Sequence, residues 1–212
     1  MDLTWLGHGC FRLRGKNAVA VTDPYPPALG PRLARLEADL VTVSHPHPNH
    51  SNVQAVKDAR VIDGPGEYEV KGITVNGVPA YHDDRKGEER GRNTVFLIEV
   101  DDVRVCHLGD LGHRLDDASL EVIGSVDVLL VPVGGGNSLD ASRAAEVVRQ
   151  IEPRMVVPMH YAVPAVKKEL DGVDRFLKEM GAPETEPIQR LSVQATTGDT
   201  ETTKVVVLEP RL

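Results

Sequence analysis

Residues 44–52 read SHPHPNHSN, a stretch that crowds His45, His47 and His50 among two prolines and an asparagine. A residue that precedes proline is driven out of the helical region, because the proline ring clashes with its backbone. Pro46 therefore holds His45 extended, and Pro48 does the same for His47. In an extended chain, side chains two positions apart leave on the same side. His45 and His47 can thus grip one ion from one side, and a turn into a following helix aims His50 at a neighbouring point. Neutral imidazole is the commonest protein metal ligand, so three rings at this spacing point to a metal rather than to a solvated turn.

The flanking residues give the cluster a scaffold. DLVTVS (39–44) is β-branched and reads as a strand that delivers the histidines, and Ser51 or Asn52 can cap a helix over NVQAVKDA (52–59). Upstream, LTWLG, CFRLRG and NAVAVTD read as strands, the last closed by Asp23, and RLARLEA (32–38) reads as a short helix. Downstream, ARVID resumes a strand, and GPGEYEVKGITVNGV alternates apolar and polar residues around glycines, as hairpins do. DDRKGEERGRN (83–93) is charged without apolar periodicity and reads as a mobile loop.

TVFLIEV and VRVCHLG are further strands, and VDVLLVPV is nearly all apolar, as expected of a strand covered on both faces. A helix over ASRAAEVVRQI is capped by Asp140, MVVPMHY is a strand ending in a histidine, and GVDRFLKEMG is an amphipathic helix. IQRLSVQ and TKVVVLE are late strands. No repeat, low-complexity segment or linker divides the chain, so residues 1–212 are expected to form one α/β domain of two packed sheets with helices outside.

More candidate ligands recur at strand ends. PAYHDD places His82 there, LGDLGH places Asp110 in a glycine-flanked turn with His107 and His113 on either side, and VPMHY places His160. Loops at a sheet edge combine fixed backbone with access, so such a series points to a site. His107 lies inside its strand and reads as packed, whereas His113 is placed to touch substrate or to support the site.

The ordered motifs GHGCF, TDP, HPHPNH, AYHD, LGDLGH and VPMHY resemble the metallo-β-lactamase superfamily over nearly the whole chain. They are most similar to the small branch that includes ascorbate-6-phosphate lactonase-like proteins. The resemblance implies a four-layer αβ/βα sandwich with a metal centre at one edge of its two sheets. It implies that His45, His47 and His82 hold a first metal, that His50 and His160 belong to a second, and that Asp110 bridges both. Asp23 would steady the histidine loop through hydrogen bonds, and His8 of LGHGCF would lie near the site. Zn²⁺ is the expected ion, with Mn²⁺ the alternative, in one or two copies.

One residue departs from the family pattern. HxHxDH is written here as HPHPNH, so Asn49 stands where an aspartate would supply an anionic ligand and orient the attacking water. An amide brings only a dipole to a divalent ion. The second site is therefore expected to be the weaker. The implied activity is hydrolysis of a small ester, lactone or phosphodiester by metal-bound hydroxide, with Asp110, Asn49 and His113 as the candidate catalytic residues. The alternative is a metal- or ligand-binding relative without turnover.

Composition narrows the partners. With 24 Lys and Arg against 32 Asp and Glu, the formal charge is −8, and aromatics make up 4%. Neither favours a nucleic-acid surface, which needs cations for phosphates and rings for bases. A small-molecule substrate is the expected partner, and homo-oligomerisation is left open. The first residues, MDLTWLGHGC, do not read as a signal peptide, no apolar run approaches membrane-spanning length, and Cys10 and Cys106 give no disulfide framework. A reducing cytoplasm is the expected location. Gly134, Gly135 and Gly136 read as a tight turn, and Arg85, Lys86, Arg90 and Arg92 as a solvated face offset by neighbouring acids.

Overall fold

The first strands bury both faces, and the alternation of their side chains builds two apolar clusters. Leu3, Trp5, Phe11, Leu13, Ala20 and Leu40 point into one cluster, which they share with Val95, Phe96, Ile98, Val105 and Leu129. Their neighbours Leu6, Cys10, Val21 and Val41 point the other way, into a second cluster with Tyr25, Leu29 and Val56. The period of two that defines a strand thus places one sheet between two apolar layers. The computed structural model describes residues 1–33, 36–164, 166–195 and 202–211.

The chain runs β1 (Asp2–Gly7), β2 (Cys10–Arg14), β3 (Val19–Thr22), β4 (Leu36–Glu37), β5 (Leu40–Thr42), β6 (Val56–Lys57), β7 (Arg60–Ile62), β8 (Gly66–Val70), β9 (Ile73–Tyr81), β10 (Arg92–Val100) and β11 (Val103–His107). It continues through α1 (Asp117–Ile123), β12 (Val128–Pro132), α2 (Ala141–Ile151), β13 (Met155–Met159), α3 (Asp174–Glu179), β14 (Leu191–Ser192) and β15 (Lys204–Val205). The first sheet has the order β14-β1-β2-β3-β5-β7, and the second β15-β13-β12-β11-β10-β9-β8. Each sheet passes from antiparallel hairpins to parallel pairs: β3 with β5 and β5 with β7 in the first, β11 with β12 and β12 with β13 in the second.

The expected α/β sandwich of two packed sheets is what forms. α2 begins at its expected cap, where the Asp140 carboxylate accepts from the Arg143 backbone N–H at 2.9 Å, and its buried face presents Ala141, Ala144, Ala145, Val148 and Ile151. The period of these positions is that of a helix lying on a sheet. α1 has no counterpart among the sequence expectations, although Asp116 caps it by accepting from Ser119 N–H at 2.8 Å.

Three local expectations are corrected. Residues 52–59 do not form an α-helix: a 3₁₀ turn at Val53–Ala55 runs into β6. Asn52 makes no capping bond, because its amide donates to the Tyr25 carbonyl at 3.0 Å instead. Val56 is then free to pair with Leu36 and to bury its side chain in the second cluster. The RLARLEA helix is likewise replaced by β4 at Leu36–Glu37; residues 34 and 35 lie outside the described part. The layer over the first sheet is thus loop and a two-stranded parallel ribbon. Finally, the charged stretch after His82 is folded around one carboxylate. Asp83 accepts from the backbone N–H groups of Arg85, Gly87, Glu89 and Arg90 at 2.7–3.1 Å, which draws its pKa down to about 2.

Candidate metal centre

The candidate residues sit at the ends of strands and on the loops that follow them. His8 follows β1, Asp23 follows β3, His45 and His50 follow β5, His82 follows β9, Asp110 follows β11 and His160 follows β13. All seven are buried, at 0–4% exposure. Their backbone is unusual at three points: His8, Asp23 and His160 have φ of 53°, 37° and 53°. A left-handed conformation is costly for a residue with a side chain, and it persists where the surroundings over-determine it.

Asp110 is the hub. Its Oδ2 lies 3.3 Å from His82 Nε2, 3.4 Å from His50 Nε2 and 3.9 Å from His45 Nε2, and its Oδ1 lies 3.2 Å from His160 Nε2. The turn that aims it is clamped by Asn93, whose amide oxygen accepts from Asp110 N–H at 3.0 Å while its NH₂ donates to the Leu108 carbonyl at 2.9 Å. Gly109 has φ of 58°, and a Cβ there would collide with Asn93 and Ser44, so the glycine before Asp110 is a steric requirement.

Asp23 fixes the histidine loop from behind. Its Oδ1 accepts from Ser44 N–H at 2.8 Å, and its Oδ2 accepts from the Ser44 hydroxyl at 2.5 Å and from His50 Nδ1–H at 2.9 Å. With its proton given to Asp23, Ser44 Oγ accepts from His45 Nδ1–H at 2.9 Å. One carboxylate thereby sets the tautomer of two rings and leaves the lone pair of each Nε2 facing Asp110. Such outer hydrogen bonds orient ligand rings and raise their basicity.

The inner atoms find no such partners. His45 Nε2 and His50 Nε2, which face Asp110, are buried without a hydrogen bond, as is Asp110 Oδ1; so are His82 Nδ1, on the ring edge away from Asp110, and both ring nitrogens of His8. Buried polar groups are ordinarily paired, and an unpaired one costs about 1–3 kcal/mol. Lone pairs converging on a carboxylate repel one another unless a cation lies between them. His45, His82 and Asp110 offer one atom each within 4.8 Å of one another, as do His8, His50 and His160, and Asp23, His45 and His50. Nitrogen and carboxylate donors of this kind fit a zinc-like divalent ion.

The electrostatics agree. Burial alone would push Asp110 up, but His160 and His50 hold it well below the usual carboxylate range. Burial likewise opposes charge on His50, yet Asp110 and Asp23 lift it to about 9. His45 goes the other way, pressed down to about 3 by burial and by His50. The two carboxylates thus favour positive charge beside them, which a proton on His50 supplies in the bare site and a cation between the rings would supply instead.

His47 stands apart. Its ring centroid is 5.8 Å from that of His45, and the residue is exposed at the rim. Of the two, His45 is the one drawn into the carboxylate cluster. Asn49 is half-buried beside it. His113 spends both ring nitrogens on backbone: Nε2 accepts from Tyr81 N–H at 3.1 Å, and Nδ1–H donates to the Arg114 carbonyl at 2.6 Å. His107 is packed, as expected, with Nε2–H donating to Gly9 O at 2.9 Å and Nδ1 accepting from Gly109 N–H at 3.1 Å. The glycine run is a close turn, as read: a Cβ on Gly134 would collide with the His160 carbonyl.

A family model described as β-lactamase superfamily domain matches residues 2–160. A UPF0173 metal-dependent hydrolase of Methanoculleus marisnigri is 33% identical over 203 residues, covering 84% of this chain and 89% of the relative. A Thermotoga maritima structure described as a Zn-dependent hydrolase of the metallo-β-lactamase superfamily shares 39% identity, with a TM-score of 0.78 over 98% of this chain and 97% of that one. The chain belongs to the metallo-β-lactamase superfamily. A metallo-hydrolase of Ignicoccus hospitalis, at 22% identity and a TM-score of 0.68 over 99% of this chain and 95% of that one, has the same fold.

Within this superfamily member, sequence reasoning missed three residues of the centre. Ser44 and Asn93 carry no signal beyond a hydroxyl and an amide in strand-like surroundings. Lys168 carries even less, as one of two adjacent lysines in a polar stretch, yet its Nζ donates to His160 Nε2 at 3.0 Å.

Proposed function

We propose that the Asp110 cluster is the metal centre of a hydrolase acting on a small ester, lactone or phosphodiester, and that the chain is a single domain built around it. The observation that supports this reading is the convergence of four buried imidazole nitrogens on one carboxylate, two of them, His45 Nε2 and His50 Nε2, without a hydrogen bond. The names of the curated relatives and the family membership point the same way. His45, His82 and Asp110 would hold the first ion, with His47 at the rim as a further ligand. His50, His160 and the second oxygen of Asp110 would face the weaker second position, and His8 lies beside them.

A divalent ion bound there supplies Lewis acidity and a water that ionises near neutral pH. The protein's own residues do the rest. Asp23 and Ser44 hold the rings in the tautomer that leaves Nε2 bare. The clamped Asp110 turn fixes the carboxylate, and the exposed rim around His47 gives access. Asn49 lies where the superfamily pattern has an aspartate, and we assign to it a weakened second site. Zn²⁺ is the proposed ion, with Mn²⁺ as the alternative. The −8 charge supports a small substrate over a nucleic acid, and no helix among the described residues is long and apolar enough to cross a membrane. The resemblance to ascorbate-6-phosphate lactonase-like proteins permits phosphorylated sugar lactones, cyclic nucleotides and other esters without choosing among them, and a cytoplasmic location fits such substrates.

The test is turnover of generic phosphodiester and lactone substrates with and without added Zn²⁺ or Mn²⁺, beside the Asp110→Ala variant. Metal-stimulated hydrolysis that vanishes in the variant supports the reading. Tight metal binding with no hydrolysis in any class would leave a binding protein instead.

A further inference from the structure

We propose that the ammonium of Lys168 takes the place of a second cation, so that the centre holds one tight divalent ion and one built-in organic cation. The inference rests on the metal-centre reading above and concerns its stoichiometry.

Lys168 is not an ordinary surface lysine. Its Nζ lies 3.0 Å from His160 Nε2, the same nitrogen that faces Asp110 Oδ1 at 3.2 Å. The ammonium therefore lies on the His160 side of the bridging carboxylate. The backbone that carries it is pinned on both sides. Lys167 N–H donates to the Leu29 carbonyl at 2.6 Å, Asp171 N–H donates to Gly134 O at 2.9 Å, and Ala162 N–H donates to Asp171 O at 2.9 Å. Val166 is buried in the cluster under the first sheet. Lys168 thus enters the centre from an anchored segment, and no carboxylate forms an ion pair with it among the described residues.

Charge balance explains why an ammonium would serve here. The buried carboxylates of the centre are Asp23 and Asp110. Two divalent ions would bring four positive charges against those two negative ones. One divalent ion and an ammonium bring three, leaving a single excess charge in a desolvated site, where each uncompensated charge is expensive. Asn49 fits the same arrangement. By the family pattern, position 49 would add a negative charge to the second position; here it is neutral, and the proposed cation carries one charge instead of two.

The experiment is a calorimetric Zn²⁺ titration, with metal content measured after dialysis, on the full chain and on Lys168→Met, Lys168→Gln and Lys168→Arg, each checked for fold by circular dichroism. The wild type should hold one tight ion. Lys168→Met and Lys168→Gln should bind a second ion roughly tenfold to a hundredfold more tightly than the wild type does, because repulsion by the ammonium is gone. Lys168→Arg, which keeps the charge, should behave as the wild type. Unchanged stoichiometry and affinities in both neutral variants overturn the proposal, as do two equally tight ions in the wild type. Should the titrations change as expected while no substrate is turned over, the hydrolase reading fails and the assignment of Lys168 stands.

Discussion

Two buried histidine environments, those of His107 and His45, are built on opposite principles. His107 is fully buried with both nitrogens satisfied by backbone, one donating to Gly9 and one accepting from Gly109. His45 is as well buried, yet only its Nδ1 is satisfied, and its Nε2 faces the Asp110 carboxylate without a hydrogen bond. A satisfied imidazole stabilises the fold, whereas a half-satisfied one holds a lone pair ready for a cation at the expense of stability without it. Burial alone does not separate the two; the destination of each ring nitrogen does.

The largest expected effect comes from removing the hub. Asp110→Ala should abolish tight metal binding, a loss greater than the roughly 10–100-fold that a missing outer partner costs a metal site. Retention of wild-type metal content after dialysis would contradict the hub role. Next comes the direct contrast. His107→Ala leaves Gly9 O and Gly109 N–H unpaired in the core and should destabilise the fold by about 2–4 kcal/mol in urea unfolding, with little effect on metal affinity. His45→Ala should do the reverse, and equal effects of both variants on both readouts would erase the distinction.

Asn49→Asp should tighten the second site by roughly tenfold to several hundredfold, since a full charge replaces a dipole near a divalent ion. Competition titration with a chromophoric chelator reads this directly, and an unchanged second affinity would show that the amide is no handicap. Asp23→Asn keeps the shape but lets the rings at His45 and His50 change tautomer, and should weaken metal binding about 10–100-fold. His47→Ala should have the smallest effect among the ligand variants because the ring is exposed at the rim. It should still exceed that of His107→Ala on bound metal, and metal content measured on the two folded proteins decides it.

Much of this contrast was legible in the sequence, for identifiable reasons. The histidine-rich loop at residues 44–52 is a local pattern and so is readable, but the prolines do not separate His45, which enters the cluster, from His47, which stays at the rim. Asp140 caps its helix as read, and the apolar run at β12 is buried throughout. His107 was readable as packed because it lies inside a strand. The misreadings arise where tertiary partners override local preference. The NVQAVKDA segment has a capping residue and apolar spacing, but Asn52 is captured by Tyr25 and Val56 by the apolar layer. Lys168 and Asn93 reach the centre from separate parts of the chain, and no local pattern marks them. The left-handed backbone at His8, Asp23 and His160 is equally invisible, because the strain is imposed by the fold.

The most direct measurement of the central claim is anomalous scattering from crystals of the protein soaked in Zn²⁺, collected above and below the zinc edge. The account predicts a peak within bonding distance of Asp110 and of the His45 and His82 rings, and none at His107. A peak only at surface carboxylates, with the Asp110 cluster bare at saturating Zn²⁺, would contradict it.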